Sequence, residues 1–190
     1  MNKDRCRKLI QTILKTTLTI LLLVVSSWWD TTFCFIEIKI PEKRDLNWYC
    51  LDIAKRLDAL GYISVTPEQF ASFIWKVSYC ESGHRVNVKS GDQLGLWQMT
   101  AETRRKLKVT HGGLTIQANN YFKFLAKAGT KLRRVKSSID LHCYNFAPAR
   151  FTQDTLSQVT NDGLRALDFN KDSVITREDI KLFQKKRLKA

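Results

Sequence analysis

The chain has 190 residues, of which 32 are lysine or arginine and 18 are aspartate or glutamate, so its formal net charge is +14. Its hydrophobic fraction of 44% suits a folded domain with a core, which excludes a wholly disordered chain. A cationic excess of this size indicates an anionic partner: nucleic acid, a membrane surface or an anionic cell-wall polymer. The sequence has no zinc-finger spacing, no RNA-binding aromatic motif and no phosphate loop, so a nucleic-acid partner is not expected.

The N-terminal segment predicts an exported protein. Residues 1–15 carry five cations and one anion, and the uncharged run TTLTILLLVVSSWW follows at residues 16–29. A basic stretch before a short apolar one is typical of a signal peptide, here with cleavage after Ser27. A signal anchor that begins near Leu9 is the alternative, because Lys15 can extend its ammonium group to the membrane surface. Both place the protein in the periplasm or cell envelope, either cleaved and soluble or anchored to the inner membrane by residues 1–27.

Four cysteines follow this segment, and export would allow them to form disulfides. The sequence permits three pairings among four cysteines, and it also permits thiols that are simply small buried apolar side chains. We favour buried thiols for Cys80 and Cys143. The three histidines of the chain show no metal-ligand spacing. The four cysteines are Cys34, Cys50, Cys80 and Cys143.

Two helices are predicted in the first half of the chain, after a linker or short strand over residues 28–45. Leucine, isoleucine and cysteine follow helical spacing from Leu46 to Leu60, and a glycine comes next. The second helix begins with a capping box of Thr66 and Gln69. Its apolar face runs to Glu81, where Ser-Gly ends it.

The rest of the chain also reads as mostly helical. Residues 90–99 predict a glycine-rich loop or short strands, and a short helix follows from Thr100 to Leu107. Further helices are predicted from Thr115 to Gly129 and from Ser138 to Asn145. Residues 152–190 read as two helices around an acidic loop. The expected fold class is therefore mainly α.

Glu81 lies at an unusual position for a charged side chain. It comes four residues after Val77 and eleven after Phe70, which places it on the apolar face of its own helix. Loss of water and the negative end of a helix both favour the protonated form of a carboxyl group. A carboxylic acid of this kind can protonate a glycosidic oxygen. The alternative is a glutamate at a helix end that reaches water.

Four short motifs place Glu81 in a wider pattern. They are ESG at 81–83, GLWQMT at 95–100, ANNYFKFLA at 118–126 and CYNFAP at 143–148. In this order and spacing they resemble the lytic transglycosylases of the soluble-transglycosylase type, in the lysozyme-like superfamily. The resemblance covers residues 46–150. Two features depart from the family pattern: Cys143 stands where the family has a small residue, and Phe-Ala-Pro follows where it has glycine.

The resemblance implies a fold and a reaction. The fold would be a single catalytic domain of the lysozyme-like, α+β lysozyme superfamily over residues 46–150, with a helical EF-hand-like extension over residues 151–190. The family cuts the β-1,4 bond between N-acetylmuramic acid and N-acetylglucosamine. Glu81 would protonate the leaving oxygen and then act as base while the muramoyl 6-hydroxyl closes onto C1, giving a 1,6-anhydro product. This reaction implies no catalytic cofactor and no second carboxylate.

Matching positions in the motifs give the expected substrate-binding residues. Tyr144 would orient Glu81 through its hydroxyl, and Asn145 would bind an N-acetyl group. Ser82 would contact sugar or steady Glu81, or would simply end the helix. The full set is Ser82, Gly95, Leu96, Trp97, Gln98, Met99, Tyr144 and Asn145.

Two rival functions stay open. A muramidase would hydrolyse the same bond with water and would use a second acid, for which Asp92 is the candidate; the alternative for Asp92 is a turn residue. A non-catalytic peptidoglycan-binding protein of the cell envelope would not need Glu81 at all. In each case the expected partner is peptidoglycan, and small enzymes of this kind also serve secretion or conjugation machinery.

An acidic loop near the C-terminus has the spacing of a calcium-binding loop. Six residues of DFNKDSVITRED fall at positions 1, 3, 5, 7, 9 and 12 of such a loop, and alternating oxygen donors suit a hard cation. Ser173 replaces the usual glycine, and Asp179 replaces the usual last glutamate. The segment resembles EF-hand-like loops of the dockerin type, which also end in aspartate. We expect either a structural calcium ion or a solvated helix-cap loop; the ligands would be Asp168, Asn170, Asp172, Val174, Thr176 and Asp179.

Overall fold

Seven α-helices form most of the part of the chain that the computed structural model describes, residues 45–160 and 162–189. Of residues 162 and 163 only the backbone is described. The mainly α class is therefore confirmed for this part of the chain. The signal or anchor at 1–27 and the linker or strand at 28–45 lie outside the described residues, except for Asp45.

The first two helices follow the predicted bounds closely. Helix α1 spans Leu46–Ala59, and the Asp45 carboxylate caps it by accepting the Trp48 backbone N–H. Helix α2 spans Pro67–Ser82 and begins with the complete capping box that Thr66 and Gln69 predict. It ends at Gly83, whose φ of 62° is the left-handed conformation that glycine adopts without steric cost.

The middle of the chain contains short strands and three helices. Strands β1 (Lys89–Ser90) and β2 (Gln93–Leu94) pair antiparallel, and helix α3 (Ala101–Leu107) follows. Helix α4 (Leu114–Ala126) leads into a 3₁₀ helix (Gly129–Arg134), and helix α5 is Ser138–Phe146.

Two predicted details of α4 are wrong. The helix begins after Gly113 rather than at Thr115, because the Thr115 hydroxyl is hydrogen-bonded to the Tyr49 hydroxyl of α1 instead of capping its own helix. It ends at Ala126, before Gly129, and the 3₁₀ helix that follows was not predicted.

The C-terminal region has a small antiparallel ladder that the sequence reading did not predict. Strand β3 (Thr155–Gln158) pairs with strand β4 (Val174–Thr176), and the short helix α6 (Asp162–Arg165) lies between them in the chain. Helix α7 (Arg177–Lys189) follows β4 directly. The two predicted helices around the acidic loop are therefore present, and a strand precedes each of them in the chain.

One hydrophobic core joins the motif-bearing region to the C-terminal region. Phe151, Leu156, Ile175 and Ile180 are buried in the same cluster as the apolar faces of α1 and α2. Helix α7 packs against α2 and α5, the helices that carry ESG and CYNFAP. Within the described residues, no helix is both long enough and apolar enough to cross a membrane.

Candidate active site

Glu81 lies in a cleft at the C-terminal end of α2. The cleft has a volume of about 900 Å³ and is lined by residues of α2, the β1–β2 turn, the 95–100 segment, α3, α5 and α7. The Glu81 side chain is 20% exposed, so most of it is removed from water while part of it still faces the cleft. This placement agrees with the apolar helical stripe and leaves the carboxyl group accessible to a ligand.

Two donors from α5 hold one oxygen of this carboxyl group. His142 Nε2 and Asn145 Nδ2 each lie 3.1 Å from Glu81 Oε1. They are three residues apart, so they project from one face of α5. No hydrogen bond within the described part of the chain reaches the other oxygen, Oε2. The arrangement fixes the orientation of the carboxyl group and leaves Oε2 unengaged.

Asn145 also connects Glu81 to the GLWQM segment. Its Nδ2 donates to the Trp97 carbonyl as well, at 3.3 Å. The Trp97 ring is buried and stacks on Tyr121, with ring centroids 4.4 Å apart and planes only 2° from parallel. Burial, and then the negative charge of Glu81, raise the pKa of the Tyr121 hydroxyl well above its ordinary value. Tyr121 thus lies in the core beneath the site.

The segment around Gln98 contains buried polar atoms that lack a hydrogen-bond partner in the described part of the chain. Gln98 Nε2 donates to the carbonyls of Gly95 and Val88, at 2.7 and 3.2 Å. Its Oε1 is buried and has no hydrogen-bond partner among the described residues, and the same holds for Trp97 Nε1 and the Tyr121 hydroxyl. Buried polar groups are nearly always hydrogen-bonded, so a cluster of exceptions beside a cleft points to ligand or water.

Gly95 was predicted to bind substrate, but a contact inside the fold explains why it is glycine. Its φ is +83°, and a Cβ added there would lie 2.2 Å from Gln117 Oε1. That oxygen accepts the Leu96 backbone N–H at 2.8 Å. The missing side chain therefore makes room for Gln117, which supports the GLWQM segment from behind, rather than for a glycan.

The structure brings together about half of the predicted binding residues. Trp97, Gln98, Met99 and Asn145 line the cleft with Glu81. The other four predicted residues, Ser82, Gly95, Leu96 and Tyr144, are not part of its lining.

Ser82 and Tyr144 do not support Glu81 as expected. The Ser82 hydroxyl donates to the Ser78 carbonyl at 3.0 Å, which is a contact inside α2. The Tyr144 ring packs against Phe124 and Phe151, and burial raises the pKa of its hydroxyl to about 12. Neither hydroxyl is hydrogen-bonded to Glu81. That role belongs to His142 and Asn145.

Asp92 lines the same cleft but also serves the start of a helix. Its carboxylate lies 3.4 Å from the Ala101 backbone N–H, at the first residue of α3, and Arg104 donates to its carbonyl at 3.3 Å. The side chain is exposed. Its position therefore agrees with a turn residue and still leaves the carboxylate open to the cleft.

The three cysteines within the described residues are unpaired and buried. Burial is the largest cause of their raised pKa values, to about 12 for Cys50 and Cys143 and to about 11 for Cys80, where the Glu81 charge adds to it. A thiol with a pKa this high is not a nucleophile at neutral pH. The reading of Cys80 and Cys143 as small apolar side chains is confirmed; Cys34 lies outside the described residues.

The acidic loop is closed by its own hydrogen bonds. Asp168 accepts the backbone N–H groups of Asp172 and Ser173, and Asp179 accepts those of Phe169 and Thr176. Ser173 has a φ of +66°, the conformation that the usual glycine adopts in the calcium-binding pattern. The oxygen donors suit calcium, but no group of three or more acidic, histidine or cysteine side chains in the described chain converges as metal ligands. Calcium binding stays a prediction.

In comparisons with protein-family models, curated proteins and solved structures, the chain shows no match.

Proposed function

We propose that this protein is a peptidoglycan lytic transglycosylase with a lysozyme-like catalytic domain, in which Glu81 acts first as general acid and then as base. The observation that carries the proposal is the position of the Glu81 carboxyl group and the hydrogen bonds that it accepts. It lies in a large cleft, one oxygen is held by His142 and Asn145, and the other accepts no hydrogen bond from any residue that the structure describes.

The geometry suits the first half of such a reaction. A protonated Glu81 would carry its proton on Oε2, to which no described residue donates, while Oε1 accepts from His142 and Asn145. As Oε2 passes its proton to the glycosidic oxygen, negative charge develops on the carboxylate. The two donors then stabilise that charge, and hydrogen bonds to a charged group contribute about 1.5–3 kcal/mol each.

The second half returns the proton. The carboxylate of Glu81 removes the proton of the muramoyl 6-hydroxyl while that oxygen bonds to C1, and Glu81 is ready for another cycle. No water is consumed, so no second carboxylate is needed to activate water. General acid–base catalysis by one positioned group contributes about 10²- to 10⁴-fold in rate.

The cleft also suits a glycan. Helices α2, α3, α5 and α7, the β1–β2 turn and the 95–100 segment contribute to its lining, which combines apolar side chains such as Trp97 with the polar side chain of Gln98. A site built from apolar walls and a few polar groups is typical of ligand pockets. The formal net charge of +14 would favour an anionic polymer such as peptidoglycan, and the proposed location is the periplasm or cell envelope.

A muramidase is the second candidate, because Asp92 lines the same cleft and is exposed. Glycosidases that use water need a pair of carboxyl groups on either side of the bond. In that case Glu81 would be the acid, and Asp92 would activate water or stabilise the glycosyl cation.

Mass spectrometry of the fragments released from purified peptidoglycan tests these functions. The full-length chain is compared with Glu81→Gln, with Asp92→Asn and with Glu102→Gln, which changes an exposed acid paired with Lys106 and serves as the matched control. We expect anhydromuramoyl ends, one water lighter than reducing ends, from all proteins except Glu81→Gln.

Two other results would redirect the assignment. Reducing ends that disappear with Asp92→Asn would establish the muramidase. No fragments from the folded wild-type protein, together with unchanged binding by Glu81→Gln in a sedimentation assay, would establish a non-catalytic peptidoglycan-binding protein.

A further inference from the structure

We propose that the C-terminal helix α7 is part of the active site: Gln184 holds His142 as the tautomer with its proton on Nε2, and His142 is a positioning residue for Glu81. The tautomer stands on geometry alone. Its effect on turnover rests on the proposed function.

The orientation of the Gln184 amide is determined by Ser138. Gln184 is buried, and its Nε2 lies 3.0 Å from the Ser138 carbonyl oxygen, which can only accept a hydrogen bond. Its Oε1 accepts the Ser138 hydroxyl at 3.1 Å. The reverse orientation would place the amide oxygen against the carbonyl oxygen, so Nε2 must be the atom on that side.

The same amide nitrogen determines the state of His142. Gln184 Nε2 has a second hydrogen to donate, and the nitrogen lies 3.0 Å from His142 Nδ1. Because an amide nitrogen only donates, Nδ1 must accept and carries no proton. The ring proton is then on Nε2, which lies 3.1 Å from Glu81 Oε1. The hydrogen bonds therefore run in one direction, from α7 through His142 to the carboxyl group.

The surroundings of His142 keep this arrangement rigid. Its side chain is only 4% exposed, and the Phe183 ring of α7 packs edge-on against it at a centroid distance of 5.6 Å. Gln184 is one residue beyond Phe183, so two successive side chains of α7 hold the imidazole. A group fixed by buried partners keeps its hydrogen-bond geometry when a ligand enters the cleft.

The test is nitrogen-15 NMR of the full-length protein carrying labelled histidine. The chain has three histidines, and His142→Gln identifies the signal of interest. We expect Nδ1 of His142 to give the signal of an unprotonated ring nitrogen and Nε2 that of a protonated one. In Gln184→Glu, which keeps the side-chain size, a carboxylate would accept from Nδ1, and Nδ1 should become protonated.

Kinetics of fragment release then separate positioning from folding. We expect His142→Leu to lower kcat by about 10- to 100-fold with little change in KM, the effect of losing one hydrogen bond to a charged group. His142→Gln, which keeps an N–H donor, should recover part of the rate. His111→Gln is the matched control and should leave kcat unchanged.

The outcomes test the tautomer, the positioning role of His142 and the proposed function separately. A protonated Nδ1 in the wild type would overturn the tautomer, whether or not the protein cleaves glycan. The expected spectrum with an unchanged kcat in folded His142→Leu would overturn the positioning role. The expected spectrum in a wild-type protein that releases no fragments would overturn the proposed function and its kinetic consequence, and would support the hydrogen-bond relay from α7.

Discussion

The cleft around Glu81 and the acidic loop at 168–179 differ in whether their polar groups are hydrogen-bonded. Three buried polar atoms, on Trp97 and Gln98 in the cleft lining and on Tyr121 beneath it, have no hydrogen-bond partner among the residues that the structure describes. In the acidic loop the carboxylates of Asp168 and Asp179 each accept two backbone N–H groups. Unbonded buried polar atoms lower the stability of a fold, so they are tolerated where a ligand can use them. The contrast is the one that the proposed binding function of the cleft and a structural role for the loop would require.

The strongest test of the contrast is Glu81→Gln, which should abolish activity and leave stability almost unchanged. The glutamine Oε1 can still accept from His142 and Asn145, but an amide cannot deliver or remove the proton. We expect fragment release to fall at least about 10³-fold and the free energy of unfolding to change by less than about 1 kcal/mol. Denaturation in urea beside the fragment assay measures both. A large loss of stability would mean that the Glu81 carboxylate is structural.

In the acidic loop we expect a substitution to lower the stability of the fold. Asp179→Ala removes the acceptor of two backbone N–H groups and of the Thr176 hydroxyl, and the side chain is buried. We expect the free energy of unfolding to fall by about 2–4 kcal/mol, because several donors lose their partner. Its neighbour Glu178 is exposed, and its side chain is paired with Lys181 at the surface. Glu178→Ala is therefore the control and should lower the free energy of unfolding by less than about 0.5 kcal/mol.

Calcium gives a further test of the structural role. If the loop takes up calcium, its oxygens must exchange their N–H partners for the ion, and the folded state is stabilised by mass action. We expect millimolar calcium to raise the melting temperature by about 3 °C or more. Asp168→Ala should abolish the rise. A wild-type protein with the same melting temperature in calcium and in chelator would leave the loop as a hydrogen-bonded helix cap.

These regions also differ in how far sequence could predict them. Local rules placed Glu81 at the end of an apolar helical stripe and found the Thr66 capping box, because both depend on residues within a few positions of one another. The start of α4 was wrongly predicted at Thr115, whose hydroxyl binds Tyr49, 66 positions away. Strands β3 and β4 were missed because each has only three or four residues, too few to show an alternating pattern.

The partners of Glu81 lay beyond local rules as well. His142 is 61 residues from Glu81, and Gln184 is 42 residues from His142, so their contacts depend on how α2, α5 and α7 pack. One signal was available: His142 precedes Asn145 by three residues on the same predicted helix, and Asn145 was already a candidate. A helix that presents one site residue presents its i−3 neighbour to the same place.

A pair of tyrosines offers a smaller test of the unbonded atoms. Tyr121→Phe removes a buried hydroxyl that has no partner, whereas Tyr49→Phe removes one that is bonded to Thr115. We expect the first change to raise the free energy of unfolding by about 1 kcal/mol and the second to lower it by about 1 kcal/mol. Equal losses in urea denaturation would show that the Tyr121 hydroxyl has a partner in solution, such as bound water, and would weaken the contrast.

The smallest effect is expected at His84, which has an unbonded nitrogen away from the cleft lining. Burial lowers the pKa of this imidazole, and its ring lies 4.3 Å from the Trp75 ring. The unfolded chain therefore binds a proton more readily than the folded one between the lowered value and about 6.5.

The sign of the effect follows from that difference. The free energy of unfolding should be highest above about pH 6.5 and should fall as the pH drops towards the folded-state pKa of His84. In His84→Asn, which tolerates the left-handed backbone found there (φ 61°), this decrease should be smaller. Urea denaturation of both proteins at pH 7.5 and 5.5 measures it. Glycan cleavage at pH 7.5 should be the same for both, because an unbonded atom outside the cleft affects the stability of the fold without contacting the ligand.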